Sequence, residues 1–282
     1  MAKIEPIVGR YVRVPYEGKE YRVFFEEAGQ GIPLVCLHTA GTDSREWRHQ
    51  LCDPDINRHF RVIAFDMPRH GKSIPPDGWW KEEEEYRLTS KFYSEFVMAF
   101  CRALELEKPV IMGSSMGGNV CLPIAQNFAD EVRALIAVEA CEYSPGWWLS
   151  WLHHPHIHGG EVCATSVFGL MAPQSPDEYK WETWWYYSQG GPGIFKGDLY
   201  FYSVDHDFRG KTEKLDGRVP TYFITGEYDF ACTPEMTQET AAKVKNSECI
   251  IMKGNGHFPM SENPENYKQH LMPVLEKILA NA

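Results

Sequence analysis

Gly113-Ser114-Ser115-Met116-Gly117 fits the pattern G-x-S-x-G and puts Ser115 at its centre. A serine so flanked suits nucleophilic attack on a carbonyl, provided the chain turns sharply there from a strand into a helix. Glycine fills both flanks because a side chain at either would clash in so tight a turn. The turn lifts the hydroxyl above the sheet and onto a helix N-terminus, where backbone N–H groups and the positive end of the dipole point. An apolar run, PVIM (109–112), precedes the motif and a helical stretch follows it. An ordinary glycine-rich turn would share the pattern, so the serine needs partners.

The base predicted from position is His257, in KGNGHFPMSENPE. It follows the last apolar run, and a loop at a strand's carboxyl end aims at the same crevice as Ser115. The acid that would hold its imidazole in one tautomer is Asp229, in ITGEYDF, again at a strand end. Glu139, at the end of ALIAVEA one strand earlier, competes for that role. A tetrahedral intermediate also needs N–H donors. The amide of Met116, next after the serine, and the amide of Ala40, in His38-Thr39-Ala40-Gly41, are expected to supply them.

These residues must be positioned by strands. Apolar runs occur at LVCL (34–37), RVIAF (61–65), PVIM (109–112), ALIAV (134–138), TYFIT (221–225) and CIIM (249–252). Continuous runs of this kind fit strands covered on both faces, as in a parallel sheet. Helical stretches lie between them: Phe92, Phe96, Phe100 and Leu104 recur every four residues, and Leu271, Val274, Leu275, Ile278 and Leu279 form a stripe behind an Asn263-Pro264 start. Tyr11–Val14 and Tyr21–Glu27 read as an edge hairpin. The fold class is therefore α/β, a mostly parallel sheet covered by helices. Residues 1–140 and 216–282 form its core. Residues 141–215, rich in Trp, Tyr, His, Pro and Gly, read as an inserted lid with helices of its own.

With these motifs in place the chain resembles the α/β-hydrolase fold superfamily over nearly its whole length. GSSMGG and GNGHF match the family well, and the order Ser115, Asp229, His257 is its order. His38 with Gly41 resembles the family's His-Gly oxyanion loop, with Thr39 where a glycine is usual. Asp66–Ser73 resembles its D-x-x-G-x-G-x-S turn, with Arg69 in place of the first glycine. Pro123 predicts a kink in the helix after the motif. The resemblance implies a serine esterase or lactonase that needs no cofactor and no metal. Some lactone-cleaving members take the acid from the position of Glu139. Members with an aspartate nucleophile are excluded by Ser115. Carbon–carbon hydrolases of ring-cleavage products usually carry Trp after the catalytic histidine, where this chain has Phe258-Pro259. The alternatives are such a carbon–carbon hydrolase acting on a diketone-like compound, or a ligand-binding receptor with little turnover.

Composition narrows the partners. The 282 residues carry 28 basic and 39 acidic side chains, a net charge of −11. That balance disfavours nucleic acid and anionic membrane, which need a positive face. The partner is a small-molecule substrate, and a homo-oligomer stays open. No apolar run approaches the ~18 residues of a spanning helix, and MAKIEP has no apolar signal region, so a cytoplasmic location is expected. The eight cysteines form no C-x-x-C pair, and Cys36 and Cys249 read as small buried hydrophobes. Among the lid aromatics, Trp147, Trp148 and Trp185 are the expected walls for an apolar, bulky or cyclic acyl group. The histidines at 153, 154, 156 and 158 read as a surface or lid loop, and Glu82–Glu85 as a solvated charge run.

Overall fold

The computed structural model describes residues 2–82 and 84–281; Glu83, within the acidic run, lies outside them. Eight strands form one sheet: β1 (Val8–Tyr16), β2 (Lys19–Gly29), β3 (Ile32–Leu37), β4 (Phe60–Phe65), β5 (Val110–Ser114), β6 (Ala134–Val138), β7 (Thr221–Gly226) and β8 (Ser247–Met252). Their order across the sheet is β1-β2-β4-β3-β5-β6-β7-β8. The first two form the expected edge hairpin, β2 pairs antiparallel with β4, and all later pairs are parallel. All six apolar runs are strands, and the five inner ones are covered on both faces. In β3, Val35 and Leu37 join one core cluster while Leu34 and Cys36 join the other. β8 is an edge strand with one neighbour, and there Cys249 is exposed rather than buried.

The helix Ser90–Ala103 starts behind Thr89, whose hydroxyl accepts from the Phe92 amide, and buries Phe96 and Phe100 against one sheet face. The helix Pro264–Ala280 starts behind Asn263 in the same way and buries Leu271, Leu275 and Ile278 against the other. The helix after the serine turn breaks as Pro123 requires. Met116–Asn119 and Cys121–Asn127 are separate pieces joined at Val120, since proline cannot donate to the carbonyl of Asn119. Arg69 adopts the left-handed conformation (φ 81°) that its missing glycine would have taken, so the Asp66–Ser73 turn is kept. The side chain of Asp66 closes that turn, accepting from the amides of Ser44 (2.9 Å) and Lys72 (2.7 Å).

Between β6 and β7 the chain forms the helices Gly159–Phe168, Asp177–Tyr187 and Ile194–Tyr200, with shorter turns around them. The acidic run is more than a solvated face: Glu82 pairs with Arg69, and Glu85 with Lys196 of this segment at 2.6 Å. Among the described residues no helix is long and apolar enough to cross a membrane.

Candidate active site

Ser115 stands at the carboxyl end of β5 with φ 56° and ψ −116°, a conformation that L-residues rarely adopt. The turn is held by a hydrogen bond from its amide to the Val138 carbonyl at the end of β6 (2.9 Å). Both flanking glycines are demanded by backbone proximity. A Cβ on Gly113 would lie 2.1 Å from the Gly117 oxygen, and one on Gly117 would lie 2.6 Å from the Leu37 oxygen.

The loops after β7 and β8 bring two further side chains to this point. His257 Nε2 is 2.9 Å from Ser115 Oγ, and its Nδ1 is 2.7 Å from Asp229 Oδ2. All three residues are buried. Asp229 Oδ1 accepts from the amides of Ala231 (2.8 Å) and Cys232 (3.1 Å), which fixes the carboxylate in its turn. Burial alone would raise its pKa, but the facing His257 and the hydrogen bonds hold it below the ordinary carboxylate value. An ionised Asp229 can only accept, so Nδ1 carries the proton and donates. Nε2 is left to accept from the Ser115 hydroxyl.

Glu139 lies beside them. Oxygen and nitrogen atoms of Glu139, Asp229 and His257 sit within 4.8 Å of one another. Yet the Glu139 carboxyl is fully buried and accepts from the Gly226 amide (2.9 and 3.1 Å), with no bond to the imidazole. Burial, and then the charge of Asp229, push its pKa well above the ordinary carboxylate value.

Buried carboxylates absent from the sequence reading grip the loops around the site. Glu262 accepts from the amides of Gly256 (2.8 Å) and Phe258 (3.1 Å), on both sides of His257. Glu46 accepts from the Thr39 amide (2.9 Å) and hydroxyl (2.7 Å) and from the Tyr187 hydroxyl (3.1 Å). Asp198 accepts from the Gly41 amide (2.8 Å), the Tyr86 hydroxyl (3.0 Å) and His70 Nε2 (2.7 Å). One signal pointed to Glu46: a threonine in place of a loop glycine carries a hydroxyl that needs a partner. A lone acid such as Asp198, in an aromatic helix, carries no such mark. With Thr39 and Gly41 engaged, the Ala40 amide between them has no protein acceptor among the described residues, and neither has that of Met116.

A cavity of about 140 Å³ opens on Ser115 and His257. Its remaining wall is almost wholly apolar and comes largely from the 141–215 segment: Trp147, Trp151, Leu152, Val167, Phe195 and Leu199 among others. Trp147 lines it as expected, but Trp148 and Trp185 do not. Trp148 packs instead on Tyr200 (5.5 Å between centroids), and Trp185 is 58% exposed. Trp185 precedes Tyr187 by two positions, about 200° around the helix, so when Tyr187 faces the cavity Trp185 faces out. No arginine or lysine is among the cavity-lining residues.

Known proteins bear on this arrangement. The family model described as "alpha/beta hydrolase fold" matches residues 32–156. An uncharacterised protein of Mycobacterium tuberculosis is 30% identical over 269 residues, covering 88% of this chain and 76% of that protein. The 2-hydroxy-6-oxo-6-(2'-aminophenyl)hexa-2,4-dienoic acid hydrolase of Metapseudomonas resinovorans is 24% identical over 275 residues, 89% of this chain and 86% of its own. Among solved structures, the enol-lactonase from Burkholderia xenovorans LB400 superposes with a TM-score of 0.80 at 18% identity, covering 95% of this chain and all of that one (100%).

Proposed function

Because the chain belongs to the α/β-hydrolase fold superfamily, we propose that it is a serine hydrolase cleaving an uncharged carboxylic ester or lactone through an acyl-enzyme on Ser115. The observation that carries this reading is the unbroken chain of contacts from Ser115 Oγ to His257 (2.9 Å) and on to Asp229 (2.7 Å). The Ser115 oxygen attacks the carbonyl carbon as His257 takes its proton, and Asp229 stabilises the imidazolium that forms. The oxyanion draws on the free amides of Ala40 and Met116. The imidazolium then protonates the leaving alkoxide. Water, deprotonated by the same histidine, cleaves the acyl-enzyme. The 141–215 segment serves as a lid, and Trp147 is part of the substrate wall.

The size and lining of the cavity support an apolar, ring-sized acyl or lactone group. An apolar cavity near 150 Å³ accepts a ligand of about the size of benzene, so a larger substrate requires the lid to move. The same residues would serve hydrolysis of a carbon–carbon bond in a diketone-like compound, and the relative named as a dienoic acid hydrolase favours that reading. A dienoic acid carries a carboxylate, however, and a cavity without Arg or Lys offers it no counter-charge. Phe258 after the histidine points the same way.

The test has two arms. A fluorophosphonate should label Ser115, and Ser115→Ala should abolish both labelling and turnover; unchanged turnover in that variant refutes the reading and favours a ligand receptor. A product-resolved panel of aromatic esters, lactones and vinylogous diketones should show highest kcat/KM for the uncharged esters or lactones. Preference for a diketone acid would transfer the chain to the carbon–carbon class.

A further inference from the structure

The Ala40 amide is held from both sides by carboxylates that the sheet does not supply. On one side Glu46 accepts from the Thr39 amide, and on the other Asp198 accepts from the Gly41 amide at 2.8 Å. Asp198 belongs to the helix Ile194–Tyr200, far along the chain in the segment between β6 and β7. It is fully buried, and a carboxylate so placed requires a compensating partner. That partner is His70, whose Nε2 stands 2.7 Å away and whose Nδ1 faces the Pro68 carbonyl at 3.1 Å. Burial pulls the His70 pKa down, but the charge and hydrogen bond of Asp198 more than offset it, and the pKa is raised. The Tyr86 hydroxyl completes the set at 3.0 Å. The hydroxyl of Tyr187, also from this segment, reaches Glu46. Gly41 has φ 78° and packs under Phe195 so closely that a Cβ there would lie 2.7 Å from its ring.

We propose that Asp198 is a positioning residue for the oxyanion loop, so that seating of the Ile194–Tyr200 helix and assembly of the Ala40 donor are one event. This rests on the serine-hydrolase reading above. Asp198 does not touch the substrate; it fixes the Gly41 peptide and thereby the amide before it. An unseated helix leaves the Gly41 amide without its acceptor, and Ala40 is then free to turn away from the carbonyl oxygen.

Wild type, Ser115→Ala, Asp198→Ala and Asp198→Asn are compared on one p-nitrophenyl ester, with fluorophosphonate labelling rate and thermal midpoint measured beside kcat and KM. Asp198→Ala should lower kcat by about 10²-fold, the scale of a lost oxyanion donor, and slow labelling in parallel, with KM within about threefold. Asp198→Asn keeps an oxygen for the Gly41 amide and should recover most of the loss. A kcat for Asp198→Ala within threefold of wild type overturns the proposal, as does an equal loss in both variants with KM rising as kcat falls. Should Asp198→Ala not fold, the Asn variant decides: a kcat loss above tenfold at an unchanged thermal midpoint is too large for a kept acceptor and refutes the role assigned to it, while a smaller loss supports it. Wild-type protein that neither labels nor shows Ser115-dependent turnover removes the hydrolase reading and this proposal together; a labelled, active wild type with an unaffected Asp198→Ala removes this proposal alone.

Discussion

Glu139 and Asp229 occupy one buried site at the ends of adjacent strands, yet only Asp229 bonds the imidazole. Glu139 spends its oxygens on the Gly226 amide at the end of β7. Two carboxyl groups so close cannot both ionise cheaply; burial and the charge of Asp229 push the Glu139 pKa up, while His257 pulls that of Asp229 down. Asp229→Asn should therefore lower kcat by about 10⁴, as in related triads. Glu139→Gln, which keeps an oxygen for the Gly226 amide, should cost less than about tenfold. The reverse ranking in steady-state assays would move the orienting role to Glu139.

The buried Glu46 predicts a pH-dependent term in stability. Burial raises its pKa from an ordinary 4.5 to about 7, against the lowering effect of its hydrogen bonds to Thr39 and Tyr187. The folded state then binds this proton more tightly than the unfolded state does. Its contribution is whole below about pH 4.5 and is lost as pH rises through 7. Glu46→Gln removes the titration. Urea unfolding should show wild type losing stability relative to this variant, by a total of order 3 kcal/mol, between about pH 4 and pH 8. Parallel stability curves for the two proteins would contradict it.

The serine turn tolerates no added carbon. Gly113→Ala would drive a methyl group into the backbone at Gly117, where neither side can yield cheaply. A loss of about 2–3 kcal/mol is expected. Differential scanning calorimetry should show a lower midpoint, and any soluble fraction should label slowly with fluorophosphonate because the Ser115 hydroxyl is displaced.

Trp147 and Trp185 offer a contrast inside one aromatic-rich segment. Trp147→Ala enlarges the cavity and should shift kcat/KM toward larger acyl groups by tenfold or more, a scale of ~1.4 kcal/mol. Trp185→Ala removes an exposed ring and should leave both selectivity and stability nearly unchanged, within about 0.5 kcal/mol. A chain-length series of p-nitrophenyl esters separates them, and equal profiles for the two variants would refute the assignment of the wall.

Local chemistry determined much of this protein from its sequence. Glycines at 113 and 117 announce a turn that admits nothing larger, and apolar runs announce strands covered on two sides. Histidine and acid at the ends of the last two runs announce a common edge. These signals are legible because each is set by close neighbours along the chain or by a period of the backbone. Asp229 and Glu139 both stand at strand ends, and only the tertiary structure distinguishes them by which oxygen meets Nδ1, that of Asp229 at 2.7 Å. It alone turned Trp147 inward and Trp185 outward, and brought Asp198 and Glu46 to the two sides of Ala40. Burial of a charge is settled by partners from distant segments, such as His70 for Asp198, and no local pattern in the sequence records that meeting.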